Sequence, residues 1–113
     1  METVFKSVFK SVGLSGVGTT LSTLYTAPAA TTSTGIGLTI ANVITSDITA
    51  TVQLVKSGGD TFNVVKNAPV PVGSSLVIIG GDQKLVIQTG DMLKVVTSGI
   101  AAADVILSVL EQA

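Results

Sequence analysis

The residues best equipped for chemistry in this chain are seven carboxylates, Glu2, Asp47, Asp60, Asp82, Asp91, Asp104 and Glu111, and six lysines. Two carboxylates converging across a glycosidic bond would support acid–base hydrolysis. Here the acids are dispersed. Most stand beside Gly or Ser in turn-like segments, where a short carboxylate caps backbone N–H groups. Calcium would need several oxygen ligands from one loop, and no predicted loop carries more than one acid. Histidine and cysteine are absent, which excludes Ser-His-Asp and Cys-His nucleophiles and the usual zinc sites. Ser7-Val8-Phe9-Lys10 matches the S-x-x-K pattern of penicillin-recognising enzymes. The two companion motifs are missing, since Ser46-Asp47 runs into Ile48 and no K-T-G follows. Gly13, Gly16, Gly18, Gly35 and Gly37 fit no phosphate-cradling pattern and read as turn and bulge residues. The expectation is a chain with no catalytic, cofactor-binding or metal-binding residue and no cofactor.

Composition narrows the partners. Charged residues make up 12% of 113 positions and the net charge is -1, against roughly 25% charged in an ordinary soluble domain. Arginine is missing altogether, so the clustered cations that bind nucleic acid by counterion release are not available. Hydrophobic residues reach 46%, yet no apolar run approaches the ~18 residues of a membrane helix. The N-terminal segment is interrupted by Lys6, Ser7, Lys10 and Ser11 and lacks the apolar stretch of a signal peptide. Neither nucleic acid nor membrane is an expected partner. A surface this poor in charge is expected to be covered by other subunits, and a homo-oligomer is the expected state. Exposed aromatics for stacking on sugar rings are few, with one Tyr and three Phe, which weakens a glycan- or receptor-binding reading.

The elements that must position these residues are strands. Leu21, Thr23 and Tyr25 alternate with Ser22, Leu24 and Thr26 before Pro28. Ile36, Leu38 and Ile40 share a face opposite Gly37, Thr39 and Ala41. Ile48, Ala50, Val52 and Leu54 alternate with Thr49, Thr51, Gln53 and Val55. Ser57-Gly58-Gly59-Asp60 predicts a hairpin turn into a strand over 61–66. Pro69 and Pro71 predict a connection or an edge. Ser75 to Ile79 is apolar on both faces and is expected deep in the core. Gly80-Gly81-Asp82 and Thr89-Gly90-Asp91 are expected to turn the chain into strands over 84–88 and 92–97, and a last strand covers 104–110. About eight short antiparallel strands in one all-β domain point to a β-sandwich or jelly roll.

The N-terminal VFKSVFKSV repeat has two readings. As a helix it would gather Val4, Phe5, Val8, Phe9 and Val12 on one face. As a strand it is favoured by its β-branched and aromatic residues. Residues 1–12 are therefore expected to be an arm or first strand, with the sandwich over 13–113. Phe5 and Phe9 either complete the local core or dock on a neighbour, and the docking reading makes Val4, Phe5, Val8 and Phe9 the candidate subunit interface.

YTAPAATTSTGIGLTIAN at 25–42, VKNAPVPVGSSLVIIGGDQKLVIQTGDMLKV at 65–95 and DVILSVLE at 104–111 resemble small virion structural proteins of tailed bacteriophages, those of cyanophages among them. The resemblance spans most of the chain and is densest over APVPVGSSLVIIGGDQK. It implies a non-enzymatic virion component, made in the host cytoplasm, whose partners are other virion structural proteins and copies of itself. A capsid decoration or cement protein is the expected role, with a neck, tail or baseplate (fibre-attachment) protein as the alternative.

Overall fold

The computed structural model describes residues 7–80 and 83–113. Among these described residues there are nine strands: β1 (Ser7–Val17), β2 (Ser22–Thr26), β3 (Thr32–Asn42), β4 (Ile48–Val55), β5 (Thr61–Val70), β6 (Ser75–Ile79), β7 (Leu85–Ile87), β8 (Met92–Thr97) and β9 (Ala103–Gln112). They pair as one long antiparallel ribbon folded at the β4–β5 hairpin. β4 lies on β5, β3 on both β6 and β7, β2 on β8, and β1 on β9. The ribbon then rolls up, so that β3 also pairs with β9 and β4 with β8. The result is a five-stranded sheet in the order β1-β9-β3-β6, with β7 also on β3, packed on a four-stranded sheet in the order β2-β8-β4-β5. Nested pairing of this kind, divided between two sheets, is a jelly roll. The expectation of an all-β domain, a β-sandwich or jelly roll of about eight antiparallel strands, is met by a two-sheet sandwich with nine described strands.

Alternation builds the core. Val105, Leu107 and Val109 of β9 and Leu38 and Ile40 of β3 point inward from one sheet. Ala50 and Val52 of β4 and Leu93 and Val95 of β8 point inward from the other, and all of these are buried. Each large aliphatic so buried contributes roughly 1.5–3 kcal/mol. Thr49, Thr51 and Gln53 fall on the solvent side of β4, as the sequence alternation predicts.

Bulges overturn the alternation elsewhere. In β2 the register against β8 shifts between Thr23 and Tyr25, so Leu24 and Tyr25 are both buried. In β3 a shift between Gly35 and Gly37 takes Ile36 off the face of Leu38 and Ile40, and it borders a hollow beside Phe9 and Ser108. β6 is the edge of its sheet, with Val77 63% exposed, not a deep core strand. Its four apolar residues reflect an edge that leaves one face uncovered. β6 and β7 both run antiparallel to β3, at Ala41–Leu38 and Gly35–Ser33. They therefore share one lane and one direction, so the expected turn after Ile79 does not reverse the chain. Gly81 and Asp82 of that turn lie outside the described residues. β5 continues through Pro69, which an edge strand tolerates because its lost N–H faces no ladder.

Asp91 locks the roll where the β4–β5 loop meets the turn before β8. It is 1% exposed, pairs with Lys56 at 2.5 Å, and accepts the backbone N–H groups of Ser57 and Gln88, each at 3.0 Å. Burial alone would raise its pKa. The Lys56 and backbone hydrogen bonds, with the Lys56 charge, outweigh it and hold the carboxyl below the usual range. A depressed pKa means stability that is present above about pH 4 and lost as pH falls through the folded value. Asp91→Ala strands two backbone donors and a lysine, and is expected to cost about 3 kcal/mol in urea unfolding at neutral pH. The deficit should shrink as wild type is acidified below about pH 4. A loss under about 1 kcal/mol would contradict the lock.

Candidate functional site

The structure distributes the chemistry-bearing side chains as backbone anchors. Besides Asp91, Asp47 accepts the Val72 N–H and Asp104 the Gly16 N–H, each at 3.0 Å. Ser7 and Lys10 lie on a strand, where residues three apart face opposite ways and cannot act as a nucleophile–base pair. Among the described residues no three of His, Cys, Asp and Glu gather into a metal-holding group. No helix among them is long and apolar enough to cross a membrane.

One polar cluster was not visible in the sequence. Tyr25 of β2 crosses between the sheets and donates its hydroxyl to Glu111 of β9, while Ser33 of β3 sits 2.7 Å from the same oxygen. Tyr25 and Ser33 are buried. Burial and the Glu111 hydrogen bond push the phenol up to about 12. A phenol held protonated in a closed core has no access to substrate and no basicity at neutral pH. Its role is to tie the two sheets. The pairing depends on the β2 bulge that turns Tyr25 inward, and strand alternation alone places Tyr25 with Leu21 and Thr23.

The outer faces of the two sheets differ. On the four-stranded sheet Lys94 pairs with Thr23 and Gln53, Gln53 also with Asn63, Thr51 with Val96 and Val55 with Met92, and the Gln53 and Asn63 amides hydrogen-bond at 3.2 Å. The five-stranded sheet presents Phe9, Val77, Val86 and Ile106 instead, exposed by 75%, 63%, 52% and 57%. Ser11, Ser108, Thr34 and Thr39 lie among them, in register on β1, β9 and β3. Asp104 adds a charge near one end, where the carboxylate is held by Gly16. Small residues leave hollows beside Ile106. One, of about 260 Å³, lies over Gly13 and is bordered by Leu14, Ser15 and Asp104. Another, of about 310 Å³, is lined by Thr39, Ala41, Asp104 and Ile106. A corrugated, partly apolar sheet face of low charge can pack against another protein surface.

Of the candidate interface residues, Val4 and Phe5 lie outside the described residues. Val8 and Phe9 are both exposed on β1 but point to opposite sides, because they are adjacent on a strand. Phe9 joins the outer face, whereas Val8 lies at the margin of the inner side, opposite Glu111.

No protein-family model and no curated protein matches the chain. Among solved structures it is similar to a subunit of Bacillus endospore appendages, a family of disulfide-linked pili. That subunit is 13% identical at a TM-score of 0.57, over 99% of this chain and 89% of the other. A chain of infectious bursal disease virus, Gt strain, is similar at 18% identity and a TM-score of 0.46. The match covers 96% of this chain but only 32% of the viral one. The likeness to the appendage subunit is one of fold.

The inter-sheet tie is open to direct measurement, because Tyr25 is the single tyrosine. A folded pKa above the unfolded one stabilises below about pH 10 and is lost as pH rises towards 12. Phenolate absorbance is expected to titrate near 12 in the folded protein, and a midpoint near 10 would contradict the tie. Tyr25→Phe should cost about 1–2 kcal/mol at neutral pH and remove the alkaline loss.

Proposed function

We propose that this chain is a non-enzymatic structural subunit of a tailed-phage virion, a decoration or cement protein bound to the capsid. The observation that carries the reading is the outer face of the five-stranded sheet, where Phe9, Val77, Val86 and Ile106 stand exposed among Ser and Thr side chains. Four lanes about 4.8 Å apart and strands of about ten residues give that face a plan area of roughly 600 Å². Specific interfaces bury about 800 Å² per partner, so the face is large enough to be most of one. Monomers seldom leave such a surface open to water.

The sequence resemblance supplies the kind of particle, and the fold is compatible with it. The partners are other virion structural proteins and further copies of this chain. The appendage subunit of similar fold belongs to disulfide-linked pili. This chain has no cysteine, so no disulfide joins its copies. Assembly then rests on surface complementarity and on many copies acting together.

Quantitative mass spectrometry of purified particles tests the assignment. Hundreds of copies per virion are expected for a decoration protein. A few to tens would move the chain to the neck, tail or baseplate, and absence from the particle would overturn the virion role. Ile106→Lys, in the middle of the apolar face, is expected to leave the thermal midpoint of the free protein unchanged and to deplete the subunit from particles. Undiminished incorporation would contradict the use of this face.

A further inference from the structure

Two open sheets have four edges, and a bare edge is a template for another strand. Three of the edges here are blunted. β2 is five residues long and broken by a register shift. β5 carries Pro69, and Asn67 lies at φ 51° with its N–H turned to the Thr51 hydroxyl at 3.0 Å. The β6–β7 lane is interrupted between Ile79 and Leu85. β1 is different. From Ser7 to Leu14 it pairs with β9 without a shift, contains no proline and no positive φ, and meets no other strand on its far side among the described residues. Ser7 to Ser11 are exposed throughout.

We propose that this edge pairs antiparallel with β1 of a second copy, about a two-fold axis through Ser11. An isologous antiparallel pair sets one residue opposite its own twin. Centring on Lys10 would oppose two lysines, which is unfavourable. Centring on Val12 would push Phe9 against Ser15, where the register with β9 is already broken. Centring on Ser11 places Lys10 opposite Val12, Val8 opposite Leu14 and Phe9 opposite Gly13. The last pair is reciprocal. Phe9 is 75% exposed, and the hollow over Gly13 lies on the same outer face. Each copy thus offers an aromatic ring and a place for one, the pairing by which aromatics cover glycines on strand edges. A side chain at Gly13 itself would crowd the Val105 carbonyl, 3.0 Å from its Cβ.

A two-fold axis normal to the sheet joins both five-stranded sheets into one and turns their outer faces the same way. The dimer doubles the low-charge platform that the proposed function uses, although the edge argument stands independently of it. Strand pairing along one edge is a contact at the small end of the specific range, so the dimer is weak and concentration-dependent.

Cysteine cross-linking of the full chain tests this, because the sequence contributes no background thiol. Opposed residues in an antiparallel pair have Cα atoms about 4.5–5.5 Å apart, within the roughly 4.4–6.8 Å that a disulfide spans. Ser11→Cys should oxidise to a covalent dimer, while Thr61→Cys, on the blunted β5 edge, should stay monomeric. In sedimentation equilibrium Phe9→Ala should weaken self-association at least about tenfold, with the thermal midpoint unchanged. Wild type that stays monomeric up to about 1 mM, or Ser11→Cys that cross-links no faster than Thr61→Cys, overturns the proposal. Presence in particles without self-pairing would leave the virion role standing, and self-pairing without presence in particles would remove that role alone.

Discussion

The fold depends on β9 being held from both sides. β1 pairs along one edge of it and β3 along the other, so the terminal β1–β9 pair of the ribbon is stitched to β3 and the roll closes. This double pairing fixes which way β9 faces: Val105, Leu107 and Val109 go into the core and Asp104, Ile106 and Ser108 go out. Closure is non-local, joining residues near the two ends of the sequence. The side-chain ties reinforce it at separate points. Tyr25 binds Glu111 and Ser33 across the sheets, Asn42 bridges to the Ser46 and Val70 carbonyls, and Asp91 anchors the β4–β5 loop. Among the described residues no buried side-chain polar atom lacks a partner, as a core without disulfides requires.

Strand pattern was legible where the strand itself carries no extra residue. β4 and β9 keep a strict two-residue period and their buried faces follow from the order of residues. β2 and β3 do not, because one extra residue inverts the face of everything beyond it. Ile36 and Tyr25 are the residues so displaced. The error at β6 has another cause: Leu76, Val77, Ile78 and Ile79 are apolar in either setting, and their place at an edge is decided by which strand lies beside β3. Asp91 was readable as a turn residue, but its burial depends on Lys56, thirty-five positions away, and no local pattern announces that. The absence of histidine and cysteine was the most legible feature, since it is read directly from residue types. The outer face was half legible: low charge signalled a surface to be covered, whereas its location needed the register of four strands.

The two outer faces give the molecule a direction. The Thr, Gln, Asn and Lys of the four-stranded sheet suit water, and the Phe, Val and Ile of the five-stranded sheet suit a partner. A molecule whose outer faces differ in this way can pack one face on a larger surface and leave the other in water. The hollows around Ile106 add relief, so that a partner surface must match in shape as well as in polarity.

Footprinting of surface side chains in free and particle-bound protein tests this directionality most directly. Phe9, Val77 and Ile106 should be labelled in the free protein and protected in the particle, while Met92 and Lys94 on the other sheet should be labelled alike in both states. Protection of the four-stranded face, or equal labelling of Phe9, Val77 and Ile106 in both states, would contradict it.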